Sequence, residues 1–394
     1  GIHTKSLRLS IFELKKFFRN SGVISLIIIL PVIIAYLGSV FYPENILANY
    51  KIAIYNEDKT WLGQFGFIFL KRFFKWENAI EIKNEEALST TIKSGDYDSI
   101  IIIPKGFMSD LKEYKPTKLN LIPNPQKIQD SLAVYTVFKA LFRELAGIPD
   151  LESGSTLQFL MSGGIGVDTQ RKAPDIEILV PNMKTGSIRS EIKADIGFED
   201  IFAPSVAVIM IMIFCMIGVG NSIAHTKESG LFDIYRSNGL KVYQFINFKF
   251  IAYFVVGLVA SLFSWYIYRL FGVHSMAGEF EIIFLIIVTS FSFTAFGILF
   301  SSFTKTSKSS GLLLTALTGC MMLFGDILIP IPQGSIIKNI VNFMPIKYSV
   351  DAWRKVSVLG YSLPEVSYEI LILIIFGVVS YLLSNIIMTR VEKK

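Results

Sequence analysis

The sequence predicts an α-helical membrane protein with six transmembrane helices plus an α/β extracytoplasmic domain, and three observations predict it. Of 394 residues, 52% are hydrophobic and only 18% charged, with mean hydropathy +0.51, whereas a soluble chain carries about a quarter charged residues. Six stretches are apolar over the roughly 20 residues that a helix needs to cross about 30 Å of hydrocarbon. Between the first and second of them lies a long insert in which strand and helix patterns alternate.

The chain opens with a cytoplasmic amphipathic segment, residues 1–22. Leu7, Ile11, Leu14 and Phe18 recur at helical spacing, while Arg8, Lys15 and Arg19 lie away from that stripe. This pattern predicts an interfacial helix, either a basic anchor on anionic lipid or an elbow that braces a membrane bundle against a cytoplasmic partner. The first span, 23–41, contains Pro31 and reads as retained, because Glu13 and the structured flank do not suit a cleavable leader. The other five spans fall at 201–224, 243–271, 280–303, 311–330 and 368–389, and Pro204 reads as a first-turn proline of the second.

Orientation follows from the gathering of Lys and Arg in short cytoplasmic loops. Placing both termini inside gathers Lys5, Arg8, Lys15, Lys16 and Arg19, then Lys227, Arg236, Lys241 and Lys249, then Lys305 and Lys308, then Arg390, Lys393 and Lys394 on one side. The insert, domain 42–200, then lies outside. From residue 42 to 198 it carries 19 basic and 20 acidic residues, so the net positive charge of the chain belongs to its membrane part, and a nucleic-acid partner has no support.

Within the insert, KIAIYNED, AIEIK and YDSIIIIP read as strands separated by helical runs, one from 61 to 76 and one at EEALSTTIKSG, giving a βαβαβ order. DSIIIIP is a continuous β-branched run, as in a strand covered on both faces, ended by Pro104 and Gly106. KLNLIPN is a further strand. An amphipathic helix from 126 to 146 sets Leu132, Tyr135, Phe138, Leu141, Phe142 and Leu145 on one face, and IEILV at 176–180 supplies another strand. The Gly- and Ser-rich stretch 153–166 is a flexible loop or a partner-facing tip, since no strand leads into it and no Lys-Ser/Thr pair follows. The insert has no histidine and no cysteine, and carboxylate pairs such as Asp96 with Asp98 and Glu85 with Glu86 read as a solvated face or turn. It is expected to bind or to space.

Catalytic and metal chemistry find little to work with. Cys215 and Cys320 both sit in apolar runs, where a thiol behaves as a small hydrophobe, and His3, His225 and His274 are far from one another and from either cysteine. No disulfide, metal or catalytic site is expected.

Between the second and third spans runs HTKESGLFDIYRSNGLKVYQFINFKFIAYF, a short polar turn, a brief amphipathic helix over 226–240, then a new span. This segment resembles the coupling loop of type-2 exporter permeases of the ATP-binding cassette (ABC) family, which runs Glu, basic, Glu, any, Gly, Thr. Lys227, Glu228 and Gly230 match, while Thr226 stands for the first Glu and Leu231 for the Thr. KIAIYNED with EEALSTTIKSGDYDSIIIIPKGF is similar to the external domain of the subgroup with a large insert after its first span. LFGVHSMAGEF, GILFSSFTKTSKSSG and FMPIKYSVDAWRKVSVLG are similar to its later connecting segments, in the same order.

The resemblance implies a permease that pairs with a second copy or a sister permease and rests a coupling helix on a separate ATPase subunit. ATP and Mg would be bound by that partner; no GxxxxGK[ST] loop occurs in this chain. Glu228, Gly230, Leu231, Phe232, Tyr235 and Arg236 are then the residues expected to couple to the ATPase. The segment 331–360 would dip back into the outer leaflet as re-entrant helices, broken by prolines such as Pro330 and Pro345, with its Lys and Arg snorkelling to headgroup level. Asp326 departs from the family and reads either as part of a substrate path, with Pro330, Pro345 and Arg269 as its expected ion partner, or as an interfacial carboxylate.

The function expected is ATP-driven export of an amphiphilic substrate (lipid, drug or peptide) across a bacterial plasma (inner) membrane, with membrane lipids as partners and a periplasmic adaptor as a further candidate. The alternatives are a sodium-exporting permease of the same family and a membrane-anchored receptor or surface-attachment protein that uses the external domain. An ion-coupled secondary transporter has against it the lack of inverted repeats and mid-membrane charges.

Overall fold

The computed structural model describes residues 2–19, 21, 24–25, 27–29, 50–61, 63–64, 67–68, 79–113, 115–146, 174–192, 196–324 and 336–392. They fall into two compact units, one drawn from Gly1–Tyr42, Ile196–Ile331 and Ser335–Lys394, the other from Pro43–Asp195. The first span expected at 23–41, with Pro31, lies almost wholly outside the described residues, as do the loop 153–166 and most of the helical run 61–76.

The chain begins with α1 (Ile2–Phe18) and then enters the sheet-bearing unit: β1 (Ile52–Asn56), β2 (Ala79–Ile82), α2 (Glu85–Ser94), β3 (Ser99–Ile103), α3 (Phe107–Lys112), β4 (Lys118–Pro123), α4 (Ile128–Ala146), β5 (Asp175–Asn182) and β6 (Ser187–Ile192). One mixed sheet takes the order β2-β1-β3-β4-β5-β6. β1 runs parallel to β2 and β3, β4 antiparallel to β3 and parallel to β5, and β6 antiparallel to β5. Central β3, Ser-Ile-Ile-Ile-Ile, is buried at every position, which is what a β-branched run covered on both faces does. The sequence reading contains five of these strands and misses β6, SIRSEI, whose residues are exposed except Ile192. Its partner β5 carries an irregularity between Val180 and Pro181, where proline offers no N–H to the ladder.

Capping fixes the helices of this unit. Asn84 accepts from Ala87 N at 2.8 Å to start α2, Glu85 and Glu86 lie in its first turn, and Gly95 ends it in the left-handed conformation, φ 64°. α4 lays Ile128, Leu132, Tyr135, Phe138 and Phe142, all buried, against the sheet. Asn124 precedes it, fully buried, its Nδ2 donating to Gly95 O at 2.9 Å and Tyr97 O at 2.7 Å. Of the carboxylates expected on a solvated turn, Asp96 is exposed and bonded to Lys51 Nζ, which holds its carboxyl below the usual range. Asp98 is not solvated. It is 1% exposed and accepts from Lys51 N at 2.7 Å, closing the backbone where β1 and β3 begin.

In the other unit α5 is one continuous helix of three segments, Phe198–Ile211, a π-helical turn Met212–Ile217, and Gly218–Glu228. Asp200 starts it, accepting from Gly197 N at 2.8 Å. The start lies several residues earlier than expected, so Pro204 sits inside the helix rather than in its first turn and removes one i→i−4 bond. There follow α6 (Leu231–Ser237), α7 (Val242–Leu270), α8 (Glu279–Phe303), α9 (Ser307–Phe324), α10 (Ile336–Val341), α11 (Pro345–Ser357) and, after a 3-10 turn at Leu363–Val366, α12 (Ser367–Glu392).

Among the described residues four helices are long and apolar enough to cross a membrane: Glu199–Glu228, Val242–Leu270, Glu279–Phe303 and Leu363–Val391. They coincide with four of the six expected spans. The fifth expectation, 311–330, is described to residue 324, as α9. Small residues permit the close approach that holds such helices together in lipid: a Cβ on Gly297 of α8 would strike the Met216 backbone of α5, one on Gly257 of α7 the Cys215 thiol, and one on Gly377 of α12 the Phe291 ring. α12 leaves Leu371, Ile375, Leu382 and Ile386 exposed.

Candidate functional site

At the end of α5 two adjacent residues of opposite charge hold the junction between α8 and α9. Lys227 Nζ donates to Ser301 O at 3.0 Å and Thr304 O at 3.4 Å, placing a cation on carbonyls at the end of α8. Glu228 Oε2 accepts from Ser307 N at 2.9 Å, placing an anion on the free N–H groups that begin α9. The chain then turns through Gly230, whose φ of 73° belongs to the left-handed region and whose Cβ position is open. Gly239, φ 81°, closes the far end of α6, and Leu240 N donates to Tyr235 O at 3.0 Å.

Between these two glycines α6 is anchored from behind by aromatic rings. Phe232 meets Phe245 of α7 edge-on at 4.8 Å, and Tyr235 meets Phe248 edge-on at 5.9 Å. The opposite side presents Leu231, 41% exposed, and Ile234, 54% exposed, with Asp233 and Arg236 also exposed. The residues expected to couple are thus divided. Phe232 and Tyr235 face the bundle, Leu231 faces away from it, Arg236 lies over the Phe232 ring, and Glu228 bonds the start of α9. Ile234 is the outward residue that sequence reasoning passed over; seven residues with apolar groups on every side give no periodicity that could single it out.

Directly beyond the Phe245/Phe248 platform lies a buried ion pair. Lys249, 1% exposed, reaches Glu13 of α1 at 2.6 Å and Ser222 Oγ of α5 at 2.7 Å, with its ammonium 5.4 Å from the Phe248 ring. Ser10 Oγ of α1 adds a bond to Phe248 O at 3.0 Å, and the Phe17 ring meets Phe214 and Tyr253 edge-on. The inward face of α1 therefore includes Ser10, Glu13 and Phe17, with Leu14 and Phe18 of the expected stripe also packed on the core. Leu7 and Ile11 of the expected stripe are exposed. One continuous path of contacts runs from α6 through α7 to α1 and α5.

Toward the other ends of these helices, Arg269 forms an ion pair with Glu279 across the α7–α8 turn; its expected partner Asp326, and Pro330, lie outside the described residues. Pro345 begins α11 at a position where its missing N–H costs nothing. Two of the basic residues of α11, Arg354 and Lys355, turn into the protein instead of snorkelling. Arg354, 2% exposed, donates to Ile201 O at 3.1 Å and Ser205 Oγ at 2.7 Å, and Lys355 pairs with Glu369. Each finds an acceptor inside the protein, so neither needs the headgroup layer. Burial pushes the neighbouring Asp351 carboxyl up to about 6, against the opposing pull of Lys355, Lys347 and Arg354. Trp265 and Trp353 pack edge-on at 5.6 Å beside this cluster. Among the described residues no group of three His, Cys, Asp or Glu side chains is placed to hold a metal ion.

A multi-pass helical bundle with a short, rigidly backed helix between two membrane-crossing helices is the geometry of a transport membrane subunit. The family model for the ABC-2 family transporter protein matches residues 21–386, and the chain belongs to that family. It is a multi-pass membrane permease component of an ABC transporter, and an ABC ATPase is its implied partner. No curated protein matches the chain.

Proposed function

We propose that this permease exports an amphiphilic substrate (lipid, drug or peptide) from the cytoplasm or inner leaflet, with α6 as the helix on which a separate ATPase acts. ATP and Mg are bound by that ATPase, and this chain carries no covalent chemistry. In this reading the protein has six spans, both termini in the cytoplasm of a bacterium and the sheet-bearing unit outside the inner membrane, where it binds or spaces a partner such as a periplasmic adaptor. It works as a pair of permeases, either two copies of this chain or this chain with a sister.

One observation carries the reading: α6 is backed by Phe245 and Phe248 while Leu231 and Ile234 stand exposed on its other side. A partner that seats on those two side chains pushes on α7 directly. The Lys227 and Glu228 caps carry the same displacement to α8 and α9, and the Lys249–Glu13 pair carries it to α1. A floppy loop would absorb the stroke; this arrangement leaves little slack.

The test is purification of the full chain from native membranes, with ATP hydrolysis assayed on the eluate, beside a Leu231→Asp/Ile234→Asp variant whose substitutions lie on the exposed side. The expected result is co-purification of a soluble ATPase with wild type and its loss from the variant at unchanged melting temperature. Equal ATPase recovery from both, or none from wild type under conditions that preserve membrane complexes, would overturn the assignment of α6.

A further inference from the structure

The sheet of the other unit ends in a strand with no outer neighbour among the described residues. β6 is last in the order β2-β1-β3-β4-β5-β6, and Ser187, Ile188, Arg189, Ser190 and Glu191 are all exposed, Ile188 by 44%. An edge of this kind offers a row of N–H and C=O groups to another strand unless proline or like charges blunt it. SIRSEI holds no proline, and its two charges, Arg189 and Glu191, are of opposite sign. They lie two residues apart and so share one face of the strand.

That arrangement is complementary to itself. Pairing β6 antiparallel with a second copy about Ser190 sets Arg189 opposite the partner's Glu191, Glu191 opposite the partner's Arg189, and Ile188 opposite the partner's Ile192. A slip of one residue turns every side chain to the wrong face. A slip of two places either arginine on arginine or glutamate on glutamate, which repel. One register is thus selected by the edge itself.

Both faces of the sheet gain from it. On one, Ile192, 4% exposed, already lies opposite Ile178 of β5, so the partner's Ile188 lengthens an existing apolar row. On the other, burial and the Glu191 carboxyl push the Glu177 carboxyl up, against the opposing pull of Lys118 at 3.4 Å. A guanidinium brought to Glu191 adds positive charge where two carboxyls crowd.

We propose that β6 is the contact between the sheet-bearing units of two copies of this chain, an antiparallel β6–β6 ladder whose two-fold axis passes through Ser190. The inference rests on the pairing of permeases proposed above and selects two copies over a sister chain. A six-residue edge is too short to hold a soluble dimer, and pairing of the membrane units supplies the local concentration that closes it.

The test is oxidative cross-linking of the full chain in native membranes, in a Cys320→Ser background because Cys320 is exposed. Residues directly opposite in a ladder bring their Cβ atoms near the reach of a disulfide, so Ser190→Cys should link to its own copy about ten-fold faster than Glu86→Cys on exposed α2. Arg189→Glu and Glu191→Arg each turn two attractive pairs repulsive and should slow the Ser190→Cys link about ten-fold. Combining the two reversals should restore it. A Ser190→Cys link no faster than that of Glu86→Cys, single reversals without effect, or a double reversal as slow as the singles would each overturn the proposal. If a reversal variant does not fold, the comparison of Ser190→Cys with Glu86→Cys still decides. The chain count of the purified complex separates this inference from the one beneath it: two copies without the link overturn the β6 contact alone, whereas one copy beside a different permease overturns the choice of partner as well.

Discussion

The Lys249–Glu13 pair offers the sharpest test of how α1 is held, through the substitutions Glu13→Gln, Lys249→Met and the two combined. Lys249 is 1% exposed, so Glu13→Gln strands a buried ammonium, a loss that typically costs about 3–5 kcal/mol. Ser222 Oγ at 2.7 Å and the Phe248 ring remain as partners, which places the expected cost at the lower end, about 3 kcal/mol. Glu13 is less deeply placed, with 15% of its side chain exposed, and Lys249→Met is expected to cost less, about 2 kcal/mol. Removing both charges leaves no stranded group, so the double variant should recover to within about 1 kcal/mol of wild type. At roughly 2 °C per kcal/mol for a unit of this size, the melting temperature in nanodiscs should fall by about 6 °C and 4 °C for the single variants and by no more than about 2 °C for the double. Additive losses in the double variant would refute the pairing, as would single variants that melt with wild type.

Gly230→Ala places a Cβ in open space but in the left-handed region, at a cost of about 1–2 kcal/mol; coupled ATP hydrolysis should fall several-fold, whereas Gly319→Ala, also with open space around its Cβ, should leave it unchanged. The Asp351 carboxyl is raised when folded, so its favourable contribution is complete below about pH 4 and is lost as pH rises through about 6, an expected difference of about 3 kcal/mol; Asp351→Asn should therefore melt higher than wild type at pH 7.5 and show a flatter melting profile from pH 4 to 7. Asn124→Ala removes the two buried bonds from Nδ2 to the Gly95 and Tyr97 carbonyls, so limited proteolysis should show the sheet-bearing unit weakened by about 2–4 kcal/mol while detergent extraction of the chain is unaffected.

Much of the helical architecture was legible because lipid imposes a coarse rule: roughly 20 apolar residues in a row leave few alternatives to a buried helix. The central strand was legible for a similar reason, since four consecutive isoleucines suit only a strand covered on both faces. What escaped the reading depends on partners distant in the chain. Lys249 and Glu13 are separated by 236 positions, and each alone reads as an ordinary cytoplasmic charge. Arg354 and Lys355 read as snorkelling because their acceptors, near residue 201 and at Glu369, cannot be inferred from their own neighbourhood. β6 has one buried residue of six and no hydrophobic alternation to reveal it. In α6 the residue types were found but not their facing, because Leu231, Phe232, Ile234 and Tyr235 surround a seven-residue helix and only the aromatic platform of α7 selects which pair turns inward.

The π-helical turn at Met212–Ile217 gives α5 a property that an unbroken α-helix lacks. Such a turn takes up a residue without the matching advance and rotation, about 1.5 Å and 100° in ordinary α winding. α5 therefore holds a fraction of a screw motion in reserve. On one side of it Ser205 and the Ile201 carbonyl receive Arg354, and on the other Lys227 and Glu228 grip the α8–α9 junction. Tightening the turn to α geometry would twist these two grips against each other, and one would have to let go. In this helix a change of winding at mid-length is equivalent to a change of contacts at one end.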